Sequence, residues 1–182
     1  MYGLINSSLQ SMIRDKFGEE QWQAVLKESG VPEDSFLTMR SYDDKITYDL
    51  AGAASAVLGA PVETCLELFG EYWVLETASK SYGPLLDAAG NNMVDFLNNM
   101  NGLHDRITGT FLNYVPPSFR VDETDDGRYL IHYESEREGL TPFVVGLLKG
   151  LATRFESDLE IHSIEPQPVE NGSHTVFNVT VS

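Results

Sequence analysis

The sequence predicts an α+β fold, in which a helical N-terminal part precedes one antiparallel sheet. Apolar residues recur at helical spacing as far as residue 107, and from residue 118 onward strand-like patterns dominate. Pro116 and Pro117 mark the change, because neither donates a backbone hydrogen bond and the second forces its predecessor out of helical geometry. The predicted order is a set of helices, then two strands, one helix and two further strands. This order indicates a four-stranded antiparallel sheet with a helix between the strand pairs.

The helices of the first part are separated by glycine, proline and polar breaks. Their predicted ranges are residues 3–27 as two short helices broken near Gly18, residues 46–58, residues 62–75 and a longer helix over residues 91–107. Gly59 and Pro61 end the helix over 46–58. Residues 81–84 close off the helix over 62–75, so that residues 84–89 form at most a short turn of helix.

The second part of the chain is predicted to contain two strand pairs. These are residues 118–122 and 128–137 around the acidic turn 123–127, then a buried helix over 141–155, then residues 159–164 and 174–181 around Asn171-Gly172. The sequence of 182 residues is short enough for a single domain and long enough to enclose a cofactor-sized cavity.

Net charge and cysteine content exclude several classes of partner. The chain has 12 Lys+Arg against 28 Asp+Glu, and the resulting charge of −16 repels nucleic acids and anionic membrane surfaces. Its longest apolar run, residues 142–152, is interrupted by Lys149 and is shorter than the about 20 residues that a bilayer requires. Cys65 is the sole cysteine and the first residues lack a basic signal-peptide region, so we expect a reduced, cytoplasmic setting.

Tyr133, Ser135 and Arg137 form a candidate anion site. In a strand their side chains point to one face, which presents a phenol, a hydroxyl and a guanidinium that donate hydrogen bonds to carboxylates or phosphates. The alternative is the polar outer face of an edge strand. Asp43-Asp44 and Asp125-Asp126 lie in turns and are expected to be solvated.

His104 is a candidate ligand for haem iron, because it lies on the apolar stripe of a helix and neutral imidazole is a common axial ligand. The alternative is a core histidine that is hydrogen-bonded to a carbonyl. His132, His162 and His174 do not form a zinc-ligand set with Cys65. The hydrolase, metalloprotease and nucleotide-binding motifs are absent, so the chain is not expected to be an enzyme.

Five motifs appear in order along nearly the whole chain. They are MYGLIN at residues 1–6, FGEYW at 69–73, LHD at 103–105, PPSF at 116–119 and YESEREGL at 133–140. Together they resemble the H-NOX family, the haem nitric oxide/oxygen-binding domains that include the N-terminal domain of the soluble guanylate cyclase β subunit. The resemblance implies one domain over residues 1–182, with a helical subdomain of about residues 1–60 and haem-enclosing helices and sheet over about 61–182.

The resemblance also implies the roles of individual residues. The implied cofactor is ferrous haem b held between the two parts, with His104 as the proximal iron ligand and Tyr133, Ser135 and Arg137 as the clamp for its propionates. Further implied haem contacts are Pro117, which distorts the haem, and Ile5, Leu147 and Met100. Trp73 and Phe143 are expected to line the same cavity.

The expected ligand is nitric oxide, with carbon monoxide as a possible further ligand and dioxygen bound weakly or not at all. Oxygen-binding members of the family place a tyrosine after the clamp, where this chain has Pro142 or Phe143. Trp73 and Thr141 are the other side chains that could donate to a bound gas.

The family's mechanism implies that binding releases His104 and shifts the subdomains, which signals to a histidine kinase, a diguanylate cyclase or a guanylate cyclase output domain. Two alternatives from other classes are a haem-free acidic protein-interaction module and, least favoured, a small enzyme acting on an anionic substrate. Haem colour in the purified protein discriminates the first alternative from the sensor.

Overall fold

The computed structural model describes residues 1–32, 35–108 and 115–182. The helices are α1 (Gly3–Phe17), α2 (Glu19–Ser29), α3 (Asp44–Leu58), α4 (Val62–Tyr72), a π-helix (Trp73–Ala78), α5 (Ser79–Asp87), α6 (Met93–Asn98), α7 (Met100–Thr108) and α8 (Thr141–Arg154). The strands are β1 (Ser118–Glu123), β2 (Tyr129–Ser135), β3 (Leu159–Gln167) and β4 (Ser173–Val181). The predicted α+β class is confirmed. Within these ranges no helix has the length and apolarity needed to cross a bilayer.

The first three helices begin and end close to the predicted breaks. Gly18 separates α1 from α2 with φ of 98°, and Gly59 ends α3 with φ of 63°, a left-handed conformation that glycine adopts without strain. Helix α3 begins two residues before the predicted start, at Asp44, because the Asp43 carboxylate accepts a hydrogen bond from the backbone N–H of Lys45.

The prediction of one helix over residues 91–107 is wrong. Asn99, with φ of −92° and ψ of 0°, separates α6 from α7. Its side-chain amide donates to the carbonyl oxygen of Ala89 at 2.9 Å, and that bond favours a turn over a continuous helix. The break places His104 on a short helix of its own, α7, which lies against β1.

The predicted end of the fourth helix at residues 81–84 is also wrong. The helix continues from α4 through the π-helix into α5, and its one non-helical residue is Tyr82 with φ of −135° and ψ of 19°. This kink accommodates Pro84, whose ring lacks an N–H and collides with the carbonyl one turn earlier in a regular helix. The π-helix widens the turn at Trp73, the kind of local irregularity that is frequent at functional sites.

The sheet is antiparallel with strand order β1-β2-β4-β3, as the two predicted hairpins require. Its inner face carries buried residues such as Ile131 and Phe177, which pair directly across β2 and β4. Its outer face carries polar residues, and here Arg120 on β1 lies opposite His132 on β2. The alternation of apolar and polar residues therefore buries one face of the sheet only.

Two clusters of buried side chains form the interior. One lies among α1 to α4 and includes Trp22, and the other lies between the sheet and α8 and includes Ile131. Helix α8 crosses α4 so closely that a Cβ atom on Gly146 would lie 1.9 Å from the carbonyl oxygen of Glu67. Trp73 packs against both clusters. A division into subdomains at about residue 60 stays a prediction.

Candidate functional site

A cavity of about 460 Å³ lies between the two clusters, within the usual size range of cofactor sites. The structure brings all ten residues predicted to bind the haem or line its cavity into the lining. They are Ile5, Trp73, Met100, His104, Pro117, Tyr133, Ser135, Arg137, Phe143 and Leu147. The lining is mostly apolar, and its polar residues include an imidazole on α7 and a group of donors at the end of β2.

The imidazole of His104 is oriented by the backbone at Pro117. Its Nδ1 lies 3.1 Å from the carbonyl oxygen of Pro117, so the Nδ1–H tautomer donates to that oxygen and Nε2 carries the lone pair. Burial lowers the pKa of His104, against the opposing effects of the Pro117 carbonyl and Asp105, and this favours the neutral ring at neutral pH. A neutral imidazole with its second nitrogen bonded to a carbonyl is the arrangement typical of metal-ligating histidines.

Asn101 fixes α7 to the sheet, and sequence analysis missed it. Its side-chain amide donates to the carbonyl oxygen of Phe119 at 2.7 Å and its side-chain oxygen accepts from the backbone N–H of Phe119 at 2.9 Å. Through these two bonds the Asn101 side chain pairs with the backbone of Phe119 as a neighbouring strand would. Because Asn101 lies one turn before His104, it sets the distance between the imidazole and the β1 backbone.

Tyr133 and Ser135 face the cavity from β2, as their alternation predicts. Tyr133 is 3% exposed, and burial raises the pKa of its phenol although Ser135 and Arg137 act in the opposite direction. The phenol is therefore a protonated donor at neutral pH. Arg137 lies beyond the last residue of β2, in a bend that Ser173 holds by donating to the Arg137 carbonyl oxygen at 2.8 Å.

The guanidinium of Arg137 is held from the helical part of the chain. Its Nε donates to the Asp44 carboxylate at 2.8 Å and one terminal nitrogen donates to the carbonyl oxygen of Val115 at 3.0 Å. Asp44 also accepts a hydrogen bond from the amino group of Met1. Asp44 is therefore only partly solvated, and the ion pair was not predicted because its partner lies 93 residues away in the sequence and no local pattern reveals it.

The wall formed by α4, the π-helix and α8 is almost entirely apolar. Phe69 contacts Phe143 with ring centroids 5.0 Å apart and Trp73 with centroids 6.5 Å apart. Of the described lining residues on these three helices, Trp73 alone carries a polar side-chain atom. The Thr141 hydroxyl instead lies 3.2 Å from the Thr175 hydroxyl, and Thr141 is not among the lining residues.

These groups fit a haem. A flat apolar ring suits the apolar lining, an iron needs a neutral imidazole nitrogen, and two propionates need donors at one end. His104 supplies the imidazole, while Tyr133, Ser135 and Arg137 supply the donors. Most of the remaining members of the lining, such as Leu147, are apolar and offer van der Waals contact. The described lining also includes the polar side chains of Tyr2, Ser41, Tyr42, Asp44, Thr47, Trp73 and Tyr82.

Comparison with known proteins gives a consistent result. The family model described as Haem-NO-binding matches residues 2–163 of the chain. Soluble guanylate cyclase gcy-32 of Caenorhabditis elegans is 32% identical over 165 residues, which are 88% of this chain and 24% of the relative. Soluble guanylate cyclase 89Db of Drosophila melanogaster is 29% identical over 168 residues, which are 92% of this chain and 25% of the relative. The chain thus spans about a quarter of the length of these relatives.

Solved structures share the fold over the full chain. An H-NOX protein from S. oneidensis in the Fe(II)NO ligation state has a TM-score of 0.84 at 16% identity. The match covers 100% of this chain and 99% of the S. oneidensis chain. A mutant H-NOX protein from K. algicida in the Fe(II) unliganded state has a TM-score of 0.83 at 22% identity, covering 100% and 97%. At sequence identities this low, the similarity shows only that the fold is shared.

The ion pair between Asp44 and Arg137 predicts a dependence of stability on pH. Burial acts to raise the pKa of Asp44, but bonds from the amino group of Met1 and from Arg137 prevail and lower it below the ordinary 3.8. The contribution of the ionised Asp44 to the free energy of unfolding is therefore complete above pH 3.8. It is lost as the pH falls through the lowered pKa of Asp44. We expect Asp44→Asn to reduce the free energy of unfolding by about 0.5–1 kcal/mol at pH 7, since the carboxylate is partly exposed.

Urea denaturation of both proteins at pH 7 and at about pH 2 measures this contribution. The difference in free energy of unfolding between the unmodified protein and Asp44→Asn should shrink toward zero at the lower pH. Asp49→Asn is the matched control, because Asp49 pairs only with the exposed Lys45 on the same helix. An equal loss for Asp44→Asn at both pH values would contradict the assignment.

Proposed function

Because the chain belongs to the Haem-NO-binding (H-NOX) family, we propose that it is a haem-based nitric oxide sensor that regulates a signalling partner or output domain. Domains of this family bind haem and are sensory rather than catalytic. The observation that carries the proposal is the pairing of two walls in one cavity. One wall has the half-buried imidazole of His104, and the described lining residues of the wall formed by α4, the π-helix and α8 carry no hydroxyl donor. The first wall suits an iron ligand and the second disfavours dioxygen.

Four polar residues of the cavity have a role in this proposal. His104 binds the iron through Nε2, while its Nδ1–H remains bonded to the Pro117 carbonyl. Tyr133, Ser135 and Arg137 donate to the two propionates of haem b. When bound, the haem supplies a ferrous iron that takes up nitric oxide.

The apolar lining residues position the haem in this proposal. Pro117, Ile5, Met100 and Leu147 line the cavity. Pro117 would press on the ring beside His104, and the other three would pack on it.

Selectivity rests on the composition of the wall opposite His104. A hydrogen bond to a bound ligand contributes about 1–3 kcal/mol, which corresponds to roughly 10- to 100-fold in affinity for dioxygen. Nitric oxide binds ferrous haem without that bond. Phe143 lies in the lining where oxygen-binding relatives are expected to have a tyrosine, and the hydroxyl of Thr141 is engaged with Thr175.

Signal transmission is proposed to begin at the joint of α7 and β1. His104 and Asn101 both bond the backbone of residues 117–119, so a pull on the imidazole is transmitted to β1 through these bonds. If a bond between His104 and the iron were broken, that restraint would be lost and α7 could shift relative to Pro117. Such an element has two arrangements whose balance a ligand can change.

The output is proposed to lie in another domain or protein, since the guanylate cyclases that match are about four times longer than the matched region. A guanylate cyclase domain, a histidine kinase or a diguanylate cyclase would fit. The charge of −16 favours a basic docking surface and association that weakens with salt. A reduced, cytoplasmic setting is part of the proposal, supported by the single Cys65 and by relatives that are named soluble.

Replacing the clamp arginine tests whether the cavity holds haem. Arg137→Ala should weaken haem binding by roughly 10- to 100-fold, because a charge-assisted hydrogen bond to a propionate contributes about 1.5–3 kcal/mol. Transfer of haem to a competing apoprotein measures the effect. The matched control is Arg120→Ala on the outer face of the sheet, which should bind haem as the unmodified protein does.

Two results would count against this part of the proposal. Equal haem retention by both variants would remove the propionate role of Arg137. Purified protein without haem colour that also fails to take up added haem would favour the haem-free interaction module.

Adding a hydroxyl to the second wall tests the selectivity. Phe143→Tyr should strengthen dioxygen binding by roughly 10- to 100-fold, because the phenol donates to the bound gas. Phe143→Leu is the control and should leave dioxygen binding weak. Absorption spectra of the reduced proteins at graded oxygen pressures report the affinity. A stable dioxygen complex of the unmodified protein that Trp73→Phe abolishes would assign a donor role to Trp73 and overturn nitric oxide selectivity.

A further inference from the structure

The outer face of the sheet carries two imidazoles in direct contact, far from any role in the cavity. His132 lies on β2 and His174 on β4, diagonally across the pair of strands. Nδ1 of His132 and Nε2 of His174 are 3.0 Å apart, and the ring centroids are separated by 5.3 Å. Their side chains are 13% and 20% exposed, so solvent and small ions reach them.

Carboxylates surround the pair. Asp122 on β1 places Oδ2 3.2 Å from the second nitrogen of His132, and Glu134 places Oε1 3.9 Å from Nε2 of His174. Arg120 forms an ion pair with Asp122, and its charge lowers the pKa of His132 more than either carboxylate raises it. Two carboxylates against one guanidinium still leave a net negative charge beside the two imidazoles, which favours a bound cation.

We propose that His132 and His174 together bind a divalent transition-metal ion such as Zn²⁺ through the two nitrogens that face each other. Bonds of about 2.0–2.1 Å to nitrogens 3.0 Å apart give an angle near 90° at the metal. A tetrahedral angle needs a separation of about 3.4 Å, and both imidazoles must rotate to direct their lone pairs at the ion. Metal binding replaces the hydrogen bond between the two facing nitrogens, and the imidazole that donated it then carries its hydrogen on its other nitrogen.

The environment of His132 supports this role. Burial, Arg120 and His174 lower its pKa, so the ring is neutral and has a lone pair at neutral pH. Its remaining nitrogen faces the Asp122 carboxylate, which is the outer contact that metal-binding histidines commonly make. That nitrogen is buried and makes no hydrogen bond among the described residues, and the pull of a bound cation on the ring would strengthen its contact with Asp122.

The site supplies two protein ligands. No group of three or more histidine, cysteine or carboxylate side chains within the described ranges is arranged to hold a metal ion. Water therefore completes the coordination, and Glu134 remains close enough to accept hydrogen bonds from a metal-bound water. A bound ion would join β2 to β4 on the outer face of the sheet whose inner face presents Tyr133.

Calorimetric titration of the haem-loaded, untagged protein with ZnCl₂ at pH 7.5 tests the proposal. We expect saturable binding of one ion per chain, and His132→Ala or His174→Ala should weaken it by about tenfold or more. Zinc binding to the unmodified protein should likewise weaken as the pH falls below about 6, because protonated imidazoles do not bind metals. Cu²⁺ should bind more tightly than Zn²⁺, and Mg²⁺ should not compete.

His162→Ala is the matched control, because His162 lies on β3 and its Nε2 is 2.8 Å from the Thr180 hydroxyl. This variant should bind Zn²⁺ as the unmodified protein does. His174→Gln, with circular dichroism as a check of folding, separates loss of a ligand from loss of the strand. Absence of saturable binding, or equal affinity in the His174 and His162 variants, would overturn the proposal. Neither result depends on haem binding.

Discussion

The hydrogen bonds between α7 and the start of β1 are the interaction on which the rest of the site depends. A helix of nine residues has little stability of its own, so its position is set by what it bonds. Asn101 bonds both backbone groups of Phe119, and His104 bonds the carbonyl of Pro117. Together they place a neutral imidazole at the wall of an apolar cavity.

A second link joins the helical part of the chain to the sheet. Asp44 at the first turn of α3 bonds Arg137 just beyond β2, and Arg137 also lines the cavity. In the proposed haem site the same side chain would also donate to a propionate. A change at the cavity would then alter how firmly the helical part is held, which is the property that a sensor requires.

The predictions from sequence are accurate where a residue acts on its own backbone. Gly18, Gly59 and the prolines at 116–117 mark true element boundaries because their conformational limits are local. They are wrong at Asn99, where a side chain bonds a carbonyl ten residues earlier, and near Tyr82, where a kink lets the helix continue.

The residues of the candidate site were also predictable only where the signal lies in the local sequence pattern. Alternation places Tyr133 and Ser135 on one face, and helical spacing places His104 on an apolar stripe. Family resemblance grouped these residues, and the structure brings them into one cavity. The contacts of Asn101 and Asp44 were not predicted because their partners lie 18 and 93 residues away, and an isolated Asn or Asp has no local signal of such contacts.

The most direct test of the account is the absorption spectrum of the reduced, haem-loaded protein, recorded first in air and then with nitric oxide. The wall formed by α4, the π-helix and α8 has no hydroxyl donor among its described lining residues, so the spectrum should show no stable dioxygen complex in air. Nitric oxide should change it to that of a complex in which His104 no longer binds the iron. A stable dioxygen complex in air, or a nitric oxide complex that retains the His104 bond, would contradict the account.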